Sequence, residues 1–134
     1  MVEWSNMKSV VICGSRRYKK EIREFVKELK EAGVMVYEPI LNTDPEIRNL
    51  PDHFKYYSFL GLTHHQFDMI RKAGVIFIFN KDGYMGNSTT LELGFAVALS
   101  KTIYALEKDK DEPCRDVLID EIVKAPQELI QKLK

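Results

Sequence analysis

Two apolar runs constrain the fold of this chain most strongly. They are Ser9-Val10-Val11-Ile12-Cys13 and Val75-Ile76-Phe77-Ile78-Phe79. Neither run alternates apolar with polar residues, which is typical of central strands that are covered on both faces of a parallel sheet. The first run stops at Gly14 and is followed by apolar residues at helical spacing over Tyr18 to Ala32. Strands that alternate with helices in this way predict an α/β fold.

The remaining segments extend the same pattern. Gly33 is a suitable helix stop, and Val34 to Tyr37 predicts a second strand that is joined to the first by a right-handed crossover. Further strands are predicted at Thr102 to Leu106 and Ile122 to Val123, and helical segments at Asp52 to Leu60, Thr63 to Ala73, Pro113 to Leu118 and Pro126 to Leu133. We therefore expect residues 1–134 to form a single domain. Its predicted fold is a three-layer doubly wound parallel sheet of Rossmann or flavodoxin-like type, with about five strands.

Composition and charge narrow the range of partners. Twenty basic and twenty acidic residues cancel, so neither nucleic acid nor a membrane surface is indicated as a partner. No apolar run approaches the roughly 18 residues of a spanning helix, and no signal-peptide pattern precedes the first strand. Cys13 and Cys114 have no motif spacing, which favours reduced thiols and a cytoplasmic protein.

The segment from Glu38 to Leu62 is the least regular part of the chain. It contains three prolines and a cluster of aromatic residues between Phe54 and Phe59. Because a connection of this length in a small domain is usually functional or only partly ordered, we interpret it as a lid or a subunit contact.

One carboxylate stands in the apolar helix predicted after the Val75 to Phe79 run. Glu92 is the only acid or strong base between Asp82 and Lys101. Thr89-Thr90-Leu91-Glu92 fits a capping box with Thr89 as the N-cap, and this would explain the acid without any function. The other interpretation is that Glu92 lines a cleft at the carboxyl edge of the sheet, where ligands bind in open α/β folds.

Two loops are predicted to meet at that edge. Gly14-Ser15-Arg16-Arg17 follows the first strand, and Gly86-Asn87-Ser88-Thr89 begins the helix that carries Glu92. A close backbone approach at glycine, hydroxyl groups, an arginine, two helix N-termini and one carboxylate suit a ligand with a sugar, with or without a phosphate. In the alternative interpretation, Gly14 is only a tight turn and both arginines are solvated.

The paired histidines do not indicate a metal site. His64 and His65 are adjacent, so they point about 100° apart on a helix and do not form an i, i+4 ligand pair. We interpret them as surface or cap-adjacent residues and expect no metal.

Three segments together resemble the nucleoside 2-deoxyribosyltransferase superfamily, which includes the 2′-deoxynucleoside 5′-phosphate N-hydrolases. They are Val10 to Arg17, Ala73 to Asn80 and Gly83 to Leu106, and the most specific part is Gly83-Tyr84-Met85-Gly86-Asn87-Ser88-Thr89-Thr90-Leu91-Glu92-Leu93-Gly94-Phe95-Ala96. The resemblance implies that Glu92 is a nucleophile that attacks the anomeric carbon and forms a glycosyl ester. It further implies that Gly14 to Arg17 lie near the sugar or its phosphate, that no cofactor is needed and that the protein is a homodimer or a larger homo-oligomer.

Two positions depart from the family pattern. An ungapped match puts Gln66 where the hydrolases carry an Asp, and Val11 where they carry a Tyr. Asp68 lies two residues beyond Gln66, about 200° around the helix, and replaces the missing acid only if the helix is shifted. The leading hypothesis is an enzyme that cleaves or transfers at the N-glycosidic bond of a (deoxy)nucleoside or its 5′-monophosphate, with Glu92 and Asp68 as catalytic candidates. The alternative is a nucleotide-binding module that kept the pocket and lost the chemistry.

Overall fold

Five parallel strands form one sheet in the order β2-β1-β3-β4-β5. The structure, a computed structural model, describes residues 6–41 and 44–134. The strands are β1 (Val10–Gly14), β2 (Val36–Tyr37), β3 (Val75–Phe79), β4 (Thr102–Ala105) and β5 (Glu121–Ile122). The central pair is the longest, with Val10 opposite Val75 and Gly14 opposite Phe79. This arrangement confirms the predicted α/β fold with a doubly wound parallel sheet.

Helices cover both faces of the sheet. They are α1 (Lys19–Glu31), α2 (Asp44–Arg48), α3 (Asp52–Lys72), α4 (Asn87–Ala98), α5 (Pro113–Asp116) and α6 (Pro126–Leu133), with 3-10 turns at Arg16–Tyr18 and Lys81–Gly83. Alternate residues of β1 separate the core into two halves, because successive side chains of a strand point to opposite faces. Val10 and Ile12 pack with α1 and α6, whereas Val11 and Cys13 pack with α3 and α4.

The structure corrects one prediction about the helices. The segments predicted separately as Asp52 to Leu60 and Thr63 to Ala73 are one continuous helix, α3, of 21 residues. Gly61 lies inside it with a solvent-exposed backbone, at a cost of about 1 kcal/mol relative to Ala, but no proline interrupts the hydrogen bonding. Much of the Glu38 to Leu62 segment is therefore regular helix. Its interpretation as a lid or a subunit contact stays a prediction.

Although α3 is long enough to span a bilayer, it is not apolar enough. Among the helices of residues 6–41 and 44–134, none combines the length and the hydropathy that a membrane span requires.

Candidate functional site

A pocket of about 110 Å³ opens at the carboxyl edge of the sheet. Its walls come from the end of β1, the segment 39–41, the middle of α3 and the first two turns of α4. Glu92 and Ser88 line it from α4, and Gly14 and Arg16 line it from the loop after β1. The two loops that the sequence predicted to meet here therefore do meet. The lining is mixed, because apolar side chains such as Phe59 on α3 contribute as well.

Glu92 is partly buried and faces this pocket. Burial raises the pKa of its carboxyl to about 7, and the neighbouring thiol of Cys13 acts in the opposite direction and lowers this pKa. Leu93 and Ala96 of the same helix are buried against the sheet, so the helix cannot rotate to expose Glu92 without exposing them. A carboxyl that titrates near neutral pH inside a cleft is a common feature of catalytic sites.

The capping-box interpretation of Glu92 does not match the structure. Helix α4 begins at Asn87, two residues before the predicted N-cap, and its N-cap is Gly86, which makes no side-chain capping bond. Thr89 is therefore a helical, buried residue, and Glu92 belongs to the second turn. The hydroxyl of Thr90 donates to the carbonyl of Gly86 at 2.8 Å and stabilises the first turn instead.

Gln66 forms the floor of the pocket together with the end of β1. It is buried, and its amide Nε2 donates long hydrogen bonds to the carbonyl of Ile12 (3.4 Å) and to Sγ of Cys13 (3.5 Å). The Cys13 thiol is fully buried, and burial together with the neighbouring Glu92 raises its pKa. A chain of side chains thus runs from Gln66 through Cys13 to Glu92.

Asp68 does not join the pocket. Its Oδ2 lies 2.9 Å from Nζ of Lys72 in a half-exposed ion pair, and this contact lowers the pKa of Asp68. The register of α3 places Gln66 toward β1, so Asp68 points about 200° away around the helix. The shift of the helix that would let Asp68 replace the missing acid is not present.

The residues after β1 separate into different roles. Gly14 packs so closely that an added Cβ would lie 2.9 Å from Cδ1 of Ile22 and 3.1 Å from the carbonyl of Phe79. Ser15 caps the following turn, since its Oγ accepts from the backbone N–H of Arg17 at 3.1 Å. Arg16 lines the pocket. Arg17 instead lies over the ring of Tyr84, 3.7 Å from its centroid, outside the pocket.

The start of α4 contributes unequally. Ser88 lines the pocket, whereas Asn87 and Gly86 do not, and the side chain of Asn87 is exposed. The loop that leads into this helix is held in place at Asn80, where it leaves β3. The buried Asn80 exchanges two hydrogen bonds with the backbone of Glu107, at 2.7 and 3.0 Å, and so joins the chain after β3 to the chain after β4.

The structure adds His65 to the site, a residue that the sequence interpretation left on the surface. His65 lines the pocket from α3, as do Leu62 and Gln66. The spacing of these residues by three and four is the signal that identifies one helix face, and it is visible only once α3 is treated as a single helix. Within the described part of the chain, no group of three or more His, Cys, Asp or Glu side chains is arranged to hold a metal ion.

Comparison with known proteins relates this chain to a fold and not to an activity. No protein-family model matches the chain, and no curated protein matches it either. A crystal structure of a conserved protein from Enterococcus faecalis V583 is similar, with a TM-score of 0.54 over 95% of this chain and 97% of that one. The two sequences are 13% identical, so the similarity shows a shared fold alone.

Proposed function

We propose that this protein cleaves or transfers at the N-glycosidic bond of a (deoxy)nucleoside or its 5′-monophosphate, with Glu92 as the nucleophile. The observation that carries the proposal is the position of Glu92, a partly buried carboxyl that faces an open pocket and has a pKa of about 7. The resemblance of the segment around Glu92 to the deoxyribosyltransferase superfamily supplies the bond type.

The proposed reaction needs a fixed negative charge beside the sugar. Breakage of the bond between the anomeric carbon and the base nitrogen gives the carbon oxocarbenium character, which a carboxylate stabilises and then captures. The bonding electron pair leaves with the base, and one Glu92 oxygen forms an ester to the anomeric carbon. Water or a second base then displaces Glu92 and regenerates the carboxylate.

The rest of the pocket suits the other parts of such a substrate. Arg16 supplies a positive charge, and Ser88 supplies a hydroxyl in the first turn of α4, where the helix dipole favours an anion. We assign both to the sugar and its 5′-phosphate. Phe59, Leu62 and Leu91 supply an apolar wall for a planar base. At about 110 Å³ the pocket is smaller than the 300–1,000 Å³ of a typical ligand site, so a nucleotide would be only partly enclosed.

The decisive experiment is base release from a panel of deoxynucleosides and their 5′-monophosphates, compared between wild type, Glu92→Gln and Glu31→Gln. Glu31 is an exposed acid at the end of α1 and serves as the matched control. We expect release by wild type and by E31Q, and a loss of at least ~10²-fold in E92Q. Equal rates in all three proteins would refute the role of Glu92.

A specific observation favours a second candidate, a binding module without catalysis. The position where the resembling hydrolases carry an acid holds Gln66, and this amide donates to β1 at the pocket floor. Nucleotide binding by calorimetry, with no base release from any substrate by wild type, would establish this candidate in place of the enzyme.

We also propose that a second copy of the chain packs against the first half of α3. Phe54, Tyr56, Tyr57 and Leu60 expose between 41% and 65% of their surface there, next to the pocket-lining Phe59. Clustered apolar exposure of this kind usually marks an interface. Light scattering should give a dimer for wild type and a monomer for Tyr57→Lys, and a monomeric wild type would refute the interface.

The free thiols of Cys13 and Cys114 favour the cytoplasm as the place of action.

A further inference from the structure

The proposed reaction requires a proton that Glu92 cannot supply. A purine or pyrimidine leaves the sugar as a poor anion unless an acid protonates it in the transition state. Glu92 attacks as the carboxylate, so a different group has to carry this proton. The resembling hydrolases have an acid at the position of Gln66, and an amide does not titrate.

Three ionisable side chains line the pocket in the part of the chain that the structure describes: Arg16, Glu92 and His65. Arginine keeps its proton at all physiological pH values and cannot donate it. Histidine is the side chain whose ordinary titration range includes neutral pH. Because Asp68 is held by Lys72 outside the pocket, it does not compete for the role.

The position of His65 relative to Glu92 is set by the packing of α3 on α4. The rings of Phe67 and Phe95 stack between these helices with centroids 4.3 Å apart and an interplanar angle of 14°. Arg71 of α3 lies over the same Phe95 ring, 5.1 Å from its centroid. His65 and Glu92 therefore line one cavity from two helices that are packed together.

The surroundings of His65 allow it to cycle between its two forms. Its side chain is exposed at the mouth of the pocket, so it can take a new proton from water. The charged groups that face it are Asp68 one turn further along α3, Glu92 on α4 and Arg16 from the loop after β1.

We propose that His65 is the general acid that protonates the leaving base, and the assignment rests on the proposed function. As the glycosidic bond breaks, its electron pair goes to the base nitrogen, and the imidazolium of His65 gives its proton to the base and becomes neutral. In hydrolysis, neutral His65 then takes a proton from the attacking water while the ester to Glu92 is cleaved. Both residues return to their starting forms.

The test compares two leaving groups in His65→Gln and His64→Gln. His64 is the adjacent exposed histidine, which does not line the pocket, and H64Q is the matched control. One substrate is an ordinary 2′-deoxynucleoside or nucleotide that wild type cleaves. The other carries a 7-methylguanine base, which is already cationic and leaves without added protonation.

We expect H65Q to lose ~10²–10⁴-fold in kcat on the ordinary substrate and to stay within a few-fold of wild type on the methylated one. The alkaline limb of the kcat/KM profile should disappear with H65Q and persist in H64Q. Equal losses on both substrates, or no loss on either, would overturn the assignment while leaving Glu92 as the nucleophile. Absence of cleavage of both substrates by wild type would overturn the proposed function and, with it, this role of His65.

Discussion

The thiol of Cys13 neighbours the carboxyl of Glu92 and lowers its pKa, and this contact joins the end of β1 to the second turn of α4. Gln66 of α3 donates to the same sulfur at 3.5 Å. The central strand and the two helices on one face of the sheet thus meet around a single acid. The consequence is a carboxyl that is oriented by buried neighbours while one side remains open to a pocket.

The free energy of unfolding should depend on pH because Glu92 is buried, and this dependence can be measured without an activity assay. Its pKa of about 7 in the folded protein exceeds the ordinary value of 4.5. The folded state therefore favours the protonated form, a stabilisation that is complete below pH 4.5 and lost as the pH rises through 7. Relative to Glu92→Gln, wild type should lose on the order of 3 kcal/mol in the free energy of unfolding between pH 4.5 and pH 8. Denaturant unfolding of both proteins at the two pH values measures this. A pH-independent difference between them would contradict it. E31Q keeps Glu92 and should follow wild type at both pH values, so a pH-dependent difference between E31Q and wild type of the same size would also contradict it.

The thiol of Cys13 should lower the pKa of Glu92, and its removal should raise this pKa. Cys13→Ala removes the donor that lowers this pKa, so the titration of the Glu92 carboxyl should move above 7. Cys13→Ser keeps a hydroxyl donor and should not raise the pKa. Carbon-13 NMR titration of the carboxyl, assigned with E92Q, is the measurement. Cys114→Ala alters the exposed thiol and should leave the titration unchanged. The same titration in C13A as in wild type would contradict this effect of Cys13 on Glu92.

An ion pair outside the pocket should support the start of α4. Asp109 has a fully buried side chain, and Nε of Arg115 lies 2.6 Å from its Oδ2. Burial alone would raise the pKa of Asp109, but hydrogen bonds from Arg115 and from the backbone of Glu112 and Asp111 outweigh it and lower the pKa. Nη1 of Arg115 also donates to Oγ1 of Thr90 at 3.3 Å.

Arg115→Ala should therefore cost about 3 kcal/mol in the free energy of unfolding at neutral pH, because it leaves the Asp109 carboxylate without its cation. Since the pKa of Asp109 is lowered by folding, this contribution should fade as the pH falls through the folded-state pKa. Thermal unfolding at neutral and acidic pH measures both effects. The exposed Lys27 of α1 provides the control, and equal stability of Lys27→Ala and R115A at neutral pH would refute the role of the pair.

Two glycine-to-alanine substitutions should change the free energy of unfolding in opposite directions. An added Cβ at Gly14 would lie 3.1 Å from the Phe79 carbonyl, a backbone atom that cannot move aside cheaply. Gly14→Ala should cost about 1–3 kcal/mol. Gly94 in α4 has open space around its Cβ position, so Gly94→Ala should gain about 0.5–1 kcal/mol from helix propensity. Urea unfolding of the two variants measures both, and destabilisation by G94A would show that α4 needs this glycine for another reason.

Much of the fold was predictable from local pattern. The unbroken apolar runs at β1 and β3 permit little besides central parallel strands, and the predicted bounds of β3 and α6 agree with the structure. Errors arose where local signals compete. Two helical pieces were predicted on either side of residues 61–62, yet the hydrogen bonding of α3 continues through Gly61, because the weak helix propensity of one glycine does not end a helix. Likewise Thr89 is a good N-cap residue, but α4 starts earlier, at Asn87.

The candidate site was likewise predictable only in part. Chain order predicted that the two loops meet, because the carboxyl ends of adjacent parallel strands must lie at one edge of the sheet, and Glu92 stood out as the one acid in an apolar helix. The order of the elements does not predict which way each side chain points. The placement of Gln66 and His65 at the pocket, of Asp68 against Lys72 and of Arg17 over Tyr84 depends on how α3 and the first loop rotate as they pack. That rotation is fixed by contacts between residues that are distant in the chain, and these contacts cannot be inferred from a local sequence pattern.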